Sequence, residues 1–193
     1  MRHFAYTDNR GAVVFTSTLA EGQERPPAVA GLDFHEIAEP IHGPHMLDAG
    51  RLVALPLQPS PHHIFDYTTR QWVDPRTLDD HKSAKWKEIK RQRDVAEFAT
   101  FTYNNMEFDG DLDAQRRLTA YISVSRSSIA AGQPFEAEFT LANNTNVTLT
   151  AQDFVGIELA KVQAVAAAFN HASALRAQID AATTVQEVEA ITW

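Results

Sequence analysis

The sequence contains no cysteine among its 193 residues, which rules out a disulfide framework, a thiolate zinc site and a cysteine nucleophile. Stability must come from ordinary packing or from partner chains. It also lacks an uninterrupted apolar run of about 20 residues and a basic start followed by an apolar stretch, so neither a membrane span nor a signal peptide is expected. Positive charge is scarce, with 17 Lys and Arg against 25 Asp and Glu and a net charge of −8. Neutralising phosphates takes clustered cations that carboxylates do not outweigh, so no nucleic-acid partner is expected. Proline is missing from 76 to 133 and again after Pro134. No Gly-x-Ser-x-Gly elbow, phosphate-binding glycine loop or His-Glu-x-x-His helix occurs, and no carboxylate pair can be assigned to one cleft. Nothing therefore points to an enzyme or to a cofactor.

What is present is the mixture of a folded protein, 44% hydrophobic and 22% charged. The proline-rich part comes first. Arg2 to Thr7 alternates polar and apolar residues, Asp8-Asn9-Arg10-Gly11 has turn chemistry, and Ala12 to Thr16 resumes an extended run, which predicts a β-hairpin. Short strands are expected near Leu32–Ile37, Arg51–Leu55 and His63–Tyr67, separated by pieces rich in Pro and Gly. Pro56, Pro59 and Pro61 bracket a stiff segment of polyproline character that loses little entropy on docking. With Tyr6, Phe34, Phe65, Tyr67 and Trp72 these prolines form the expected partner-binding set, because a small β unit presents such residues on loops and cannot bury them all.

Beyond Asp74-Pro75 the pattern turns helical. Trp86, Ile89, Arg93 and Ala96 recur at helical spacing and predict a helix over 83–99, with lysines on the rest of its surface. Phe101-Thr102-Tyr103, Asn104-Asn105 and Met106-Glu107-Phe108 read as a tight hairpin. A second helix is expected over 113–129, although Tyr121 to Val124 also has strand chemistry. Phe135 to Leu141 alternates, Asn143 to Asn146 turns, and Val147 to Leu149 returns as a second hairpin. Thr150 with Asp153 makes a capping box for a long helix on which Phe154, Ile157, Val165, Ala168, Ala172, Leu175 and Ile179 share one face. Thr184 with Glu187 caps a short helix ending at Trp193, which is expected to fold back onto the long one. The expected core is Trp86, Ile89, Phe154, Ile157, Leu175, Ile179 and Trp193. The whole is read as an α+β chain: a loop-rich β region over 1–75, then a helical domain over 76–193 with two hairpins and a long C-terminal helix.

The residues of the second part resemble a recurrent bacteriophage tail domain of otherwise unknown function. The resemblance rests on Trp86-Lys87-Glu88-Ile89-Lys90, Arg93-Asp94, Phe108-Asp109-Gly110-Asp111 and Gln115, then Asn143 to Thr150, Ala174 to Ile179, and Thr183 to Trp193. It covers roughly the last 110 residues, and several pieces recur in order and spacing. More loosely, Tyr6, Asp8 and Gly11, with Phe65-Asp66 before Gln71-Trp72-Val73, resemble the starts of tail-fibre and fibre-assembly proteins. The stretch from Val124 to Pro134 departs from the pattern. The resemblance implies a non-catalytic component of the virion tail, assembled in the host cytoplasm in several copies, whose partners are tail-fibre or baseplate proteins. A fibre-assembly chaperone that leaves the particle is the alternative, and a hydrolase of the host envelope ranks last.

Two constellations invite ion binding. His42 with His45, and His62 with His63, could offer imidazoles, but a Gly-Pro joint and an extended pair do not fix ligand geometry, so polar loop residues are expected and no metal. Asp109, Asp111 and Asp113 around Gly110 lack the later ligands of a calcium loop, and a helix N-terminus accounts for them. Arg93 is expected to pair with Asp109 or Asp111.

Overall fold

The computed structural model describes residues 1–24 and 27–193. Pro26, one of the nine prolines, lies outside them. The chain divides into two compact units, 1–76 and 77–193, and it is α+β in class.

In the first unit, β1 (Arg2–Thr7) and β2 (Val13–Leu19) form the expected hairpin, and β3 (Asp33–Ile37) pairs with the other side of β1, giving the antiparallel order β2-β1-β3. The central strand is the buried one, with Phe4, Ala5, Tyr6 and Thr7 all inaccessible. Tyr6 stacks on Phe15 at 4.2 Å and leans on Phe34 at 6.1 Å. Two further hairpins follow, β4 (His45–Asp48) with β5 (Arg51–Ala54), and β6 (Ile64–Asp66) with β7 (Gln71–Val73). Strand β4 has no counterpart among the expected strands. Its turn runs through Ala49 and Gly50, both at positive φ (47° and 81°), and alanine gives no sequence signal for a conformation it adopts at a cost.

The second unit runs α1 (Leu78–Glu97), β8 (Phe101–Tyr103), β9 (Met106–Phe108), α2 (Leu112–Ala130), β10 (Glu136–Thr140), β11 (Asn146–Thr150), α3 (Ala151–Ala181) and α4 (Val185–Ala190). Helix α1 begins earlier than the apolar periodicity suggests. Thr77 accepts from Asp80 N at 3.2 Å while Thr77 N donates to the Asp80 carboxylate at 2.8 Å, a reciprocal cap worth about 1 kcal/mol. The same arrangement starts α3 at Thr150 with Asp153 and α4 at Thr184 with Glu187. The 121–124 stretch is helical because Leu118 and Ile122 point into a core that α3 completes.

Helix α3 organises this unit. At about 1.5 Å per residue its 31 residues span some 46 Å, and it meets two separate apolar clusters. Near its start Phe154 and Ile157 join Phe101, Phe108, Leu118, Ile122, Phe139, Leu141 and Leu149 from α2 and both hairpins. Near its end Ala172, Leu175 and Ile179 join Ile89 of α1 and Ile191, with Trp86 packed against them. Between the clusters, from Glu158 to Ala167, no residue is buried. The single apolar face expected through Val165 is thus two faces with a partly solvated waist. Trp193 also departs from its expected core role. It folds back edge-on against His171 at 4.8 Å but stays 37% exposed, because the core place beside α3 is taken by Ile191.

Candidate partner-binding surface

The residues expected to meet a partner do not form one surface. Tyr6, at 2% exposure, belongs to the interior of the three-stranded sheet, and Phe34 packs beside it and Phe4. Their alternation in the sequence signals burial rather than display. The remaining six gather around the β6–β7 hairpin and the 55–63 segment before it.

That segment is held by specific contacts. Trp72 Nε1 donates to the Pro56 carbonyl at 2.9 Å, and Gln58 Nε2 donates to the His63 carbonyl at 2.8 Å. Ser60 Oγ and His63 Nδ1 lie 2.8 Å apart. Cross-strand partners Phe65 and Trp72 meet edge-to-face at 5.3 Å, and Tyr67 meets Phe65 the same way at 5.0 Å, the geometry that ring quadrupoles favour. The turn beyond is fixed by Asp66, which accepts from Thr69 Oγ1 and Thr68 N, both at 2.8 Å. Those bonds, the Thr69 hydroxyl foremost, hold the Asp66 carboxyl below its ordinary pKa. Arg70, at φ 58°, closes the loop and pairs with Asp48 of the β4–β5 hairpin.

Upon this half-buried aromatic base, Pro56, Pro59 and Pro61 are exposed, and Leu57 is 94% exposed. On the opposite face of the hairpin the paired Ile64 and Val73 are exposed as well. An isolated two-stranded hairpin is marginal in water, and this one turns apolar side chains outward on both sides. Leu57, Ile64 and Val73 were not among the expected contact residues. The signal for Leu57 was its place among prolines, which prevent the chain from folding back to bury it.

The histidine pairs stay apart from this chemistry. His45 Nδ1 sits 3.1 Å from the Gly43 carbonyl, and His42 and His62 are exposed. Among the described residues no group of three or more His, Cys, Asp or Glu is placed to hold a metal ion, and no helix is long and apolar enough to cross a membrane. Of the three acids near Gly110, Asp111 caps α2 by accepting from Ala114 N at 2.8 Å, and Asp113 pairs with Arg116 at 3.2 Å. Arg93 bonds neither Asp109 nor Asp111. It chelates its neighbour Asp94 and lies over the Phe169 ring at 4.7 Å, because α3 reaches it first.

The second unit also contains a groove of about 530 Å³ between α2 and α3, lined by Leu118, Ile122, Arg126, Ile157, Glu158 and Lys161 among others. An Arg126–Glu158 ion pair at 2.5 Å spans it. Residues 80–192, more than half of the chain, match the family described as Domain of unknown function (DUF4376). The chain belongs to that family. No curated protein and no solved structure matches it. The DUF4376 region coincides with the helical unit except for its first three residues and its last, whereas the exposed proline segment lies wholly outside it.

Proposed function

We propose that this chain is a non-catalytic structural component of a bacteriophage tail or baseplate, and that it docks a tail fibre or neighbouring tail subunit through the Pro56–Pro61 segment. The observation that carries the reading is the build of that segment. A leucine almost fully in solvent stands among three exposed prolines on a hydrogen-bonded aromatic base. Such a surface is pre-ordered, so little conformational entropy is lost when a partner covers it, and its apolar side chains gain by being covered. A protein partner suits it better than nucleic acid, since residues 1–76 hold six Arg and no Lys against nine Asp and Glu. The resemblance of the helical unit to a phage tail domain supplies the setting: a virion tail assembled in the host cytoplasm, with several copies in a ring or spike.

Mass spectrometry of purified virions tests the assignment. Stable, stoichiometric presence of the chain supports it, and presence in infected lysate but not in virions favours a fibre-assembly chaperone acting through the same segment. Degradation of host envelope by the purified protein would contradict a non-catalytic role.

A further inference from the structure

The outer face of α1 carries a second surface that the docking segment leaves unused. The twelve residues from Lys82 to Arg93 hold six Lys or Arg against one Glu in a chain of net charge −8. Lys82 and Lys85 are engaged within the unit, by the Asp180 carbonyl at 2.9 Å and by Glu88 at 3.0 Å. Arg93 neutralises Asp94 at 2.5 Å. Among the described residues Lys87, Lys90 and Arg91 have no ion pair. They line an open groove that runs on to Val95 and Phe98. Helical spacing puts Lys87, Arg91, Val95 and Phe98 on one outward stripe. Phe98 then borders a second shallow groove with Asp111, Leu112, Asp113 and Arg116 at the start of α2. Val95, Phe98 and Leu112 are 66%, 40% and 56% exposed, so a strip of large apolar side chains lies bare. Cations outnumber carboxylates at one end of it, where Asp94 is taken up by Arg93, and carboxylates outnumber cations at the other, where Arg116 pairs with Asp113. The Asp113–Arg116 pair, with both side chains about four-fifths exposed at 78% and 77%, is the weak kind that a better partner displaces.

A patch with opposite charges at its two ends and apolar side chains between them is complementary to itself. A half-turn about an axis at the Val95 and Phe98 strip would bring the Lys87–Arg91 end of one copy toward the Asp111–Asp113 end of another, with the reverse contact forming at the same time. That is the defining relation of an isologous two-fold interface. We infer that the second unit forms a two-fold dimer through this face, with Val95, Phe98 and Leu112 at its centre and the Lys87/Arg91 to Asp111/Asp113 contacts at both rims. The second copy is the occupant the charges select, because an acidic peptide would satisfy the cations and leave the acidic end facing its own kind. The inference stands on this surface alone and holds or fails independently of the tail assignment.

Sedimentation velocity of the full chain from micromolar concentration upward, at low and high salt, tests it. The native chain is expected to dimerise and to weaken with salt, since rim charges are screened. K87E/R91E and, separately, D113R place like charges at both rims. Each should weaken the dimer by about tenfold or more, while circular dichroism shows both variants folded, as expected for substitutions at exposed positions. Mixed in equal amounts, the two variants should dimerise again, because in the mixed pair the reversed 87/91 end meets the reversed side chain at 113 and the native cations meet the native carboxylates, with Asp111 of the D113R copy the one like-charge neighbour left. A native chain monomeric at all concentrations, dimers indifferent to either charge reversal, failure of the mixture to recover, or assembly beyond two copies through this face would each overturn the two-fold interface.

Discussion

Lys161, near the middle of α3, donates to the carbonyl of Gly110 at 3.2 Å, and the same ammonium donates to the carbonyl of Glu97 at 2.7 Å. Glu97 is the last residue of α1, whose final carbonyls have no partner within the helix. One cation thus ties the end of α1 and the start of α2 to the solvated waist of α3, where apolar packing gives way. Burial pushes the Lys161 pKa below its ordinary value near 10.5, and Glu97 opposes that shift. The ring of Phe101 lies 5.3 Å from the ammonium.

This geometry explains why position 110 is glycine. A Cβ there would lie 1.8 Å from the Ala99 carbonyl oxygen and 2.7 Å from Lys161 Nζ. Backbone cannot yield that much without moving the β9–α2 connection, so Gly110→Ala should destabilise the protein by about 3 kcal/mol, the upper range for overpacking. Lys161→Met keeps the aliphatic stem but takes the donor from the Glu97 carbonyl, while Gly110 keeps the bond from Gln115 Nε2 at 2.9 Å, and should cost about 1 to 3 kcal/mol. Urea unfolding of the two variants and their double mutant measures both. Because the two changes disturb one junction, the double mutant should lose less than the sum. Strict additivity would separate Lys161 from the junction.

The capping boxes give a pH dependence with a definite sign. Hydrogen bonds from the Thr150 hydroxyl and amide, with a weaker one from Tyr103, hold Asp153 below its ordinary value near 3.8. Thr183 and Thr184 do the same for Glu187, below 4.5. A carboxylate whose folded pKa is depressed contributes stability above its unfolded pKa and loses it as pH falls through the folded value. Asp153→Asn should therefore cost about 1 kcal/mol at neutral pH, and the gap from the native chain should close in acid below the ordinary carboxylate range. A gap that persists unchanged at the acidic end would mean the amide fails for steric reasons instead.

Much of the fold could be read in the sequence, for a physical reason. Capping boxes, the Asn104-Asn105 turn and the alternation of Phe135 to Leu141 are local devices, each enclosed within a few neighbouring residues. The early start of α1 was legible too, in Thr77 and Asp80, but the first turn lies before the apolar periodicity that marks a helix. What stayed hidden depends on distant residues. Nothing near Lys161 announces that it will meet Glu97 and Gly110. The waist of α3 looks as apolar as its ends because alanine suits both burial and exposure. The candidate surface was legible only in part: the prolines and hairpin aromatics are sequence neighbours and gather in one place, whereas the pairing of β1 with β2 and β3, which buries Tyr6 and half-buries Phe34, is non-local.

The C-terminus separates two side chains that the sequence treats alike. Ile191 is buried among Ile89, Leu175 and Ile179, whereas Trp193 rests one edge on His171. Truncation after Ala190 should cost about 2 to 4 kcal/mol, and Trp193→Ala alone about 1, given its exposure. Thermal unfolding of both distinguishes them. Equal losses would assign the anchoring to the tryptophan.

The last prediction concerns Leu57 and decides where recognition lies. The side chain is almost fully exposed, so Leu57→Glu should leave the melting temperature unchanged, as surface substitutions away from special features do within about 0.5 kcal/mol. If the Pro56–Pro61 segment docks the partner, the same substitution places an unpaired carboxylate in the apolar centre of the contact, where charge is most costly. Capture of the tail-fibre or baseplate protein should then fall by about tenfold or more, a loss of at least 1.4 kcal/mol. Trp72→Phe removes the Nε1 donor to the Pro56 carbonyl while keeping an aromatic ring against Phe65. It should weaken capture less, by freeing the segment rather than blocking it. The control is Val162→Glu on the exposed waist of α3, a change of the same chemistry in the helical unit. Pull-down with the three full-length variants gives the answer directly. Loss with Val162→Glu and none with Leu57→Glu would move recognition from the proline segment to the long helix.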